Sequence, residues 1–294
     1  KIKIGVIGAG HLGTFHIEQL LQIDNIDFIG FYDISEINAN KISSQYSLKN
    51  YNSISSICSE ANAIIIATPT STHYDVALEA LEHNCHLFIE KPITETLEQA
   101  ETLLLKSVGR IFQVGHIENF NPAFCAIKNK KINPQFIESH RLSTFNPRGT
   151  DVPVVSDLMI HDIGILITLI KSKISRISAK GVKIVSDSCD VANAHIEFEN
   201  GCVANLTASR FSNKKMRKMR LFQNNNYISI DFLNHKVESF TFNKNSPKPI
   251  NNNLIERITK YNAIKKELVH FIDCINNNKK PVFDSVLATK ALKI

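Results

Sequence analysis

A lysine at the end of a predicted strand is the first residue of this chain that could do chemistry. It lies in Glu90-Lys91-Pro92, where the apolar segment Cys85–Glu90 predicts a fifth, buried strand. Pro92 fixes the local turn and restricts Lys91 to an extended backbone. An ammonium group there can donate a hydrogen bond to a substrate hydroxyl and lower the cost of an alkoxide that forms as hydride leaves. A surface lysine in an ion pair is the alternative interpretation.

A carboxylate and an imidazole form a second candidate pair, in a predicted helix over Ser156–Lys171. Asp157 and His161 are four residues apart, and this spacing brings both side chains to one face of a helix. A histidine beside a carboxylate can act as a general base near neutral pH. Asp162 points elsewhere and is expected to be structural. An ordinary ion pair on a helix surface is the alternative interpretation. The presence of Lys91 in the same chain favours the catalytic one.

The element that must hold a ligand beside these groups begins at the N-terminus. The β-branched run Ile2–Ile7 predicts a strand buried on both faces, and a helical pattern starts soon after it. Between them lies a G-x-G-x-x-G motif, whose glycines permit a tight turn, a close approach of a pyrophosphate and close helix packing. The helix N-terminus adds free N–H groups and the positive end of its dipole. The candidate cofactor-binding residues of this motif are Gly8, Gly10, His11, Leu12 and Gly13.

An acidic residue is expected about twenty positions after such a motif, at the end of the second strand. The segment Ile26–Asp33 is that strand, and Asp33 ends it. A carboxylate there can accept hydrogen bonds from the adenosine ribose, and it repels the additional phosphate of NADP. Since no arginine follows in Ile34-Ser35-Glu36, the sequence predicts a dinucleotide site that takes NAD, with NADP less favoured. A glycine-rich turn that serves another ligand is the alternative.

Predicted strands and helices alternate as far as residue 116. A buried strand over Ala61–Ala67 precedes a helix over His73–His83, and a sixth strand over Ile111–Val114 follows the helix that starts at Thr94. This alternation predicts a doubly wound parallel sheet, and ligands of such sheets bind past the carboxyl ends of the strands. Four segments at those ends are therefore expected to share one cleft: Gly8–Gly13, Thr68–Ser71, Glu90–Pro92 and Gly115–Asn121.

The pattern changes from residue 117 onward. A helix is predicted over Asn119–Lys130, and a strand over Gln135–Thr144 precedes the helix that carries Asp157. Strands without intervening helices come next, which predicts an α+β domain with a large, open, mostly antiparallel sheet. The predicted domains are therefore residues 1–116 and 117–294, with the last helix packing back on the first domain. The later strands are predicted over Ile174–Val185, Val191–Glu199, Cys202–Arg210, Met216–Gln223, Tyr227–Phe232 and Val237–Phe242.

Composition and charge exclude several other classes of protein. The 294 residues carry a formal net charge of +6, which is modest and spread along the chain and does not indicate a nucleic-acid partner. We find no apolar run that could cross a membrane and no signal peptide. The six cysteines form no C-x-x-C pair, so we expect reduced thiols and no metal site. These features together predict a cytoplasmic protein.

The motifs, taken in order, resemble those of the Gfo/Idh/MocA oxidoreductases. The resemblance covers essentially the whole chain, and it implies an N-terminal Rossmann domain, a C-terminal domain with an open sheet, and NAD(P)-dependent oxidation or reduction at a sugar or cyclitol carbon. It also implies a catalytic role for Lys91, and acid/base and substrate-orienting roles for Asp157 and His161. Positions near the nicotinamide are implied for Thr68, Pro69, His73 and Glu90. The matching motifs are Gly8-x-Gly10-x-x-Gly13, Ala67-Thr68-Pro69, Glu90-Lys91-Pro92 and Asp157-x-x-x-His161.

Within the family, two stretches look most like nucleotide-sugar dehydrogenases of the UDP-N-acetylglucosamine 3-dehydrogenase type: Val114–Pro122 and Asp157–Asp162. A departure is Gly164, where a second acidic residue is expected. Arg141 and Arg148 could bind the diphosphate of such a nucleotide sugar as bidentate hydrogen-bond donors. The implied substrate-binding residues are Lys91, Asn119, Asn121, Arg141, Arg148, Asp157 and His161.

Two alternatives to a nucleotide-sugar substrate stay open. The first is a dehydrogenase of a free cyclitol or monosaccharide, and the second is a non-catalytic NAD-binding regulator. The retention of Lys91 together with Asp157 and His161 favours an enzyme over the regulator. The resemblance further implies a homodimer or homotetramer formed through the C-terminal sheet.

Overall fold

A computed structural model describes residues 1–146, 152–242 and 258–294. They divide into two compact units, the first made of Lys1–Ile117 with Asn262–Ile294 and the second of Glu118–Tyr261. Each unit has its own sheet.

The first unit is built on a sheet of five parallel strands in the order β2-β1-β3-β4-β5. This confirms the predicted doubly wound α/β fold, although the strands expected as fifth and sixth are the fourth and fifth. The loop that follows the helix after β2 contributes a single bridge, Asn50 with Phe31, before the next helix begins at Ile54. The strands are β1 (Ile2–Ile7), β2 (Ile26–Tyr32), β3 (Ala63–Ile66), β4 (His86–Glu90) and β5 (Phe112–Gly115).

Helices connect these strands and cover the sheet. β1 and β3 are almost fully buried, as their apolar runs predict. Side-chain caps start several of the helices; in one, Ser53 and Ser56 form a reciprocal capping box. The helices are α1 (His11–Leu20), α2 (Glu36–Tyr46), α3 (Ile54–Glu60), α4 (His73–Glu82) and α5 (Leu97–Lys106).

The second unit contains a seven-stranded sheet in the order β12-β11-β10-β6-β9-β8-β7. Every neighbouring pair is antiparallel except β6 and β9, which pair in parallel. The prediction of a large, mostly antiparallel sheet is confirmed. Its strands are β6 (Phe136–Leu142), β7 (Ile174–Val182), β8 (Val191–Phe198), β9 (Val203–Ser209), β10 (Met216–Gln223), β11 (Asn226–Asp231) and β12 (Lys236–Thr241).

The helix predicted over Asn119–Lys130 is wrong. The segment forms a short 3-10 turn, Ile117–Phe120, and then the four-residue helix α6 (Pro122–Cys125). Pro122 has no N–H with which to continue a helix that begins before it, and the Asn121 side chain instead caps a new start. Farther along, a π-helical turn over Val155–Met159 leads into α7 (Ile160–Leu169).

The C-terminal segment returns to the first unit, as two helices, α8 (Ala263–Asn276) and α9 (Ser285–Lys293). The prediction that residues 117–294 form one domain is corrected for residues 262–294, whereas the prediction that the last helix packs back on the first domain agrees with the place of α9 in the first unit. The apolar face of α8 joins the core around α1, where Leu268 and Phe271 pack with Ile17 and Leu20. The burial of this face ties the segment to the parallel sheet.

Candidate active site

The glycine motif packs so tightly that two of its positions leave no room for a side chain. A Cβ on Gly13 would lie 1.8 Å from the carbonyl oxygen of Gly8, and a Cβ on Gly8 would lie 2.8 Å from the backbone of Ala67. Gly8 also has a φ of +90°, which L-residues rarely adopt. A Cβ on Gly10 would meet no atom within 4 Å. The backbone of Gly10 therefore faces open space, as the approach of a phosphate requires.

A cavity of about 430 Å³ lies at the carboxyl ends of β1, β2 and β3. This volume falls within the range of small-molecule sites. Five of the predicted cofactor residues line it: Gly8, Gly10, Asp33, Thr68 and Pro69. The other residues of the wall lie at the ends of the strands and in the helical turns after them, and none of them was a predicted cofactor residue. These residues are Ile7, Tyr32, Ile34, Ser35, Asn38, Ile54, Ala67, Thr72 and Val76.

Asp33 is held in place by the backbone around it. Its Oδ2 accepts the N–H of Ala9 at 2.6 Å, and its Oδ1 accepts the N–H of Ser35 at 2.8 Å. The first bond joins the end of β2 to the glycine turn. The carboxylate is thus oriented at the cavity wall before any ligand arrives, and this arrangement fits an adenosine ribose.

His11 and Leu12 lie at the exposed start of α1. His11 lines a second cavity, of about 340 Å³, together with Gly10 and Lys41. Leu12 is 46% exposed and lines neither cavity. Of these two predicted cofactor residues, only His11 has a place in a cavity wall.

Replacement of Gly10 by alanine is expected to raise the Kd for NADH about tenfold or more, which corresponds to at least ~1.4 kcal/mol. A methyl group at Gly10 meets nothing in the protein but occupies the space that a phosphate would enter. The Tm of the cofactor-free protein should stay unchanged. Titration of NADH fluorescence and a thermal melt measure the two quantities. Gly13→Ala is the matched contrast, because its methyl group collides with Gly8 and should lower the Tm. A Kd for Gly10→Ala equal to that of the wild type would contradict the assignment.

The turn after β4 carries Lys91 and is tied to the neighbouring strand end by His73. The Nδ1 of His73 lies 2.9 Å from the carbonyl oxygen of Pro92, and its Nε2 lies 3.0 Å from that of Thr68. Burial lowers the pKa of His73, while these two carbonyls oppose the shift. Since His73 is 1% exposed, it positions this turn from inside the fold.

Glu90 points inward, behind Lys91. Its Oε1 lies 2.6 Å from the Nε2 of His16, and its Oε2 accepts the backbone N–H of Lys91 at 3.3 Å. The carboxylate rests against Gly115, where a Cβ would lie 2.9 Å from Oε2. Glycine at 115 therefore leaves the space that this carboxylate occupies.

His116 is a buried imidazole directly after β5. It stacks on Phe283 with ring centroids 4.0 Å apart. Burial lowers its pKa to about 3, and the charge of Lys91 contributes to the shift. His116 is therefore neutral at physiological pH, and sequence reasoning named it only as part of a strand end.

The second unit carries the other two candidate catalytic residues. Asp157 lies in the π-helical turn and His161 in the first turn of α7, and both are half-buried. The sequence predicts one regular helix through both residues, whereas the structure has a wide turn before α7. Turns of this kind occur often at functional sites.

Arg141 does not have the role that was expected of it. It is 2% exposed, and its Nη1 donates to Glu118 while its Nη2 donates to Asp162, each at 2.8 Å. Its Nε also donates to Asp162, at 3.1 Å. Burial acts to lower the pKa of Arg141, but the two carboxylates outweigh it and raise the pKa above its ordinary value. The prediction that Arg141 contacts a diphosphate is therefore corrected, because Arg141 is the centre of a buried ion-pair network.

The two candidate asparagines have partners within the second unit. The Asn119 Oδ1 accepts a hydrogen bond from Thr168, and the Asn121 Nδ2 donates to Glu118 and to the carbonyl of Phe232. Both residues are buried, so they hold this segment in shape. Arg148 lies outside the described residues.

Along residues 1–146, 152–242 and 258–294, no group of three or more His, Cys, Asp or Glu side chains is placed to hold a metal ion. None of the helices there combines the length and the apolar character needed to span a bilayer.

Comparison with known proteins places this arrangement in a family. The model of an oxidoreductase family with an NAD-binding Rossmann fold, Gfo/Idh/MocA, matches residues 2–116, and its C-terminal domain model matches residues 136–228. A UDP-N-acetylglucosamine 3-dehydrogenase of Acidithiobacillus ferrooxidans is 32% identical, over 99% of this chain and 94% of the relative. The chain belongs to the Gfo/Idh/MocA oxidoreductase family. A scyllo-inositol 2-dehydrogenase (NAD⁺) of Bacillus subtilis is a more distant relative, 26% identical over 100% of this chain and 92% of its own.

The fold of this Gfo/Idh/MocA protein matches that of a solved relative along the whole chain. A structure of the Acidithiobacillus ferrooxidans UDP-N-acetylglucosamine 3-dehydrogenase aligns with a TM-score of 0.94 and 31% identity, over 99% of this chain and 94% of that one. The protein is an oxidoreductase with an NAD-binding Rossmann domain. The glycine turn, the open space at Gly10 and the fixed Asp33 carboxylate fit its nicotinamide dinucleotide.

Proposed function

We propose that this Gfo/Idh/MocA protein is an NAD-dependent dehydrogenase of a nucleotide sugar, of the UDP-N-acetylglucosamine type. One observation carries the proposal, which is the similarity to a UDP-N-acetylglucosamine 3-dehydrogenase along nearly the full length of both chains. The chain keeps the three residue types that the chemistry needs, in Lys91, Asp157 and His161.

The proposed division of labour follows from the chemistry of these side chains. His161 takes the proton of the sugar hydroxyl as a general base, and Asp157 orients it. Lys91 donates a hydrogen bond to the same oxygen and stabilises the negative charge that develops there. The nicotinamide, when bound, supplies the hydride acceptor. His73 and Glu90 position Lys91, because their contacts hold the turn that carries it.

The preference for NAD is assigned to Asp33. In Asp33→Asn the amide keeps the shape of the side chain and removes the charge that repels a ribose phosphate, at the loss of one of the two hydrogen bonds from backbone N–H groups. The ratio of kcat/KM with NAD to that with NADP is expected to fall about tenfold, a difference of roughly 1.4 kcal/mol. Steady-state kinetics with both cofactors measure the ratio, and Asp75→Asn, at an exposed position on α4, is the control. A ratio equal to that of the wild type would remove Asp33 from cofactor selection.

The substrate class is tested by following NADH formation across UDP-sugars, free sugars and inositols, with NAD and NADP in parallel. Turnover of a UDP-sugar with NAD, inhibited competitively by UDP, is the expected result. Turnover of a free cyclitol alone would favour the second candidate, which the scyllo-inositol dehydrogenase relative supports. Binding of NADH without turnover of any compound would favour a non-catalytic regulator.

We also propose a cytoplasmic homodimer or homotetramer that uses the sheet of the second unit. A row of aromatic rings crosses four neighbouring strands, with centroid separations of 5.7, 5.0 and 5.7 Å. Two of its members are each 37% exposed, and exposed apolar rows of this kind suit an interface between subunits. Light scattering coupled to size-exclusion chromatography measures the mass, and a monomer would contradict this part of the proposal. The row consists of Phe136, Phe222, Tyr227 and Phe240.

A further inference from the structure

Three buried titratable side chains lie on one face of the parallel sheet, behind the turn that carries Lys91. Glu90 ends β4, His16 belongs to α1, and Glu267 belongs to α8. His16 is 2% exposed and Glu267 is 1% exposed, and the side chain of Glu90 is 14% exposed. We call these three residues the Glu90 cluster.

Aromatic rings connect the elements that carry the Glu90 cluster. The ring of Phe88, two residues before Glu90 and so on the same face of β4, meets His16 at 5.2 Å. Phe88 also meets Phe271 at 5.7 Å, and Phe271 lies one helical turn after Glu267 on α8. The Gln113 Nε2 donates to the backbone carbonyl of Glu267 at 3.3 Å. The cluster therefore belongs to the rigid core of the first unit.

The two carboxyl groups of the Glu90 cluster differ in their hydrogen-bond partners. Glu90 has the His16 Nε2 at 2.6 Å and accepts the N–H of Lys91. The Oε1 of Glu267 is buried and has no hydrogen-bond partner among the described residues. Burial and then the charge of Glu90 raise the pKa of Glu267 well above its usual range. Since a buried carboxyl group without a hydrogen-bond partner does not ionise readily in the field of a second carboxylate, the proton belongs on Glu267.

We propose that His16 positions Glu90 behind Lys91 and that Glu267, whose buried Oε1 has no hydrogen-bond partner among the described residues, is a neutral carboxylic acid. The inference rests on the proposed role of Lys91 in the reaction. A single negative charge then stays on Glu90, where its Oε2 holds the backbone N–H of Lys91. A second charge at Glu267 would repel Glu90 from that place. His16 is therefore a positioning residue, which acts on the reaction through Glu90 and Lys91.

The protonation of Glu267 is tested on the cofactor-free protein at neutral pH by infrared difference spectroscopy. The spectrum of the wild type minus that of Glu267→Gln should contain the carbonyl-stretch band of a protonated carboxylic acid. Glu101→Gln, at an exposed position on α5, is the matched control and should show only the bands of a carboxylate. A carboxylate difference for Glu267→Gln would overturn the neutral assignment.

The positioning role is tested by a double-mutant cycle between His16 and Lys91. His16→Phe keeps a ring against Phe88 but removes the contact of Nε2 with Glu90. We expect kcat to fall about tenfold while the Kd for NADH changes less than ~3-fold, and we expect no further loss when His16→Phe is combined with Lys91→Ala. His16→Gln, whose amide can donate to Glu90, should recover most of the loss.

The outcomes of this cycle separate the inference from the proposed function. Losses that multiply in the double variant, or a His16→Phe variant with the kcat of the wild type, would overturn the positioning role. Full turnover by Lys91→Ala would instead refute the proposed role of Lys91, and with it the inference that rests on that role. The infrared result on Glu267 needs neither activity nor a folded His16 variant, so it decides the protonation state in every case.

Discussion

Replacement of Lys91 by alanine is expected to lower kcat by roughly 10² to 10⁴-fold, the range for a group that transfers or holds a proton in the transition state. The Kd for NADH should change less than ~3-fold, because the cavity that fits the dinucleotide is lined by other residues. Single-turnover kinetics with saturating substrate measure the chemical step, and fluorescence titration measures cofactor binding. The expected loss in kcat is large because the Lys91 ammonium would stabilise negative charge that develops on the sugar oxygen only in the transition state, as the hydride leaves.

The matched control for Lys91→Ala is Lys106→Ala, which removes an exposed lysine from the last turn of α5. It should leave kcat, the Kd and the Tm as they are. A Tm for Lys91→Ala equal to that of the wild type would show that the loss is chemical. A Lys91→Ala variant that turns over at the wild-type rate would remove this residue from the mechanism and leave proton transfer to His161 alone.

The sequence predicts the parallel sheet and the glycine turn well because both depend on local physics. A β-branched run such as Ile2–Ile7 is recognisable as a strand buried on both faces, and the G-x-G-x-x-G spacing has a steric meaning at each position. The structure bears this out at Gly13, where a methyl group would overlap the carbonyl of Gly8. The position of Asp33 follows from the length of one βαβ unit, which is also a local property.

Contacts between residues distant in the chain could not be predicted in this way. Arg141 meets Glu118 and Asp162, which lie 23 and 21 positions away, and His16 meets Glu90 across 74 positions. No periodicity links such partners, so the sequence indicates at Arg141 only a cation that could bind a diphosphate. The return of α8 to the first unit has the same cause, because an amphipathic helix does not specify which apolar surface it will cover.

Local irregularities account for the remaining differences. The π-helical turn at Val155–Met159 interrupts what the apolar spacing indicates as a single helix. The Asn121 cap and Pro122 divide another segment that had been expected to be one helix. In both places a hydrogen-bond pattern a few residues long decides the backbone, and hydrophobic periodicity does not report it.

Replacement of Arg141 by methionine is expected to lower the free energy of unfolding by about 3–5 kcal/mol, the cost of leaving a buried charge without its partner. Methionine fills much of the same space but leaves the carboxylate of Asp162 without its cation and that of Glu118 with only the half-exposed Arg217 among the described residues, 3.9 Å away. Urea denaturation followed by circular dichroism measures the change. Arg220→Met is the control, because Arg220 pairs with Glu138 at a partly exposed position, where an ion pair contributes about 1 kcal/mol or less.

The same variant distinguishes a structural arginine from a ligand-binding one. If Arg141 is the centre of a buried ion-pair network, Arg141→Met loses stability, and any loss of UDP-sugar binding should recover in conditions that restore the fold, such as added osmolyte. If stability instead stays within about 1 kcal/mol of the wild type and UDP-sugar affinity is lost, the network is not what holds Arg141. That result would return Arg141 to the diphosphate role suggested by its residue type. The three hydrogen bonds that Arg141 makes within the second unit favour the first outcome.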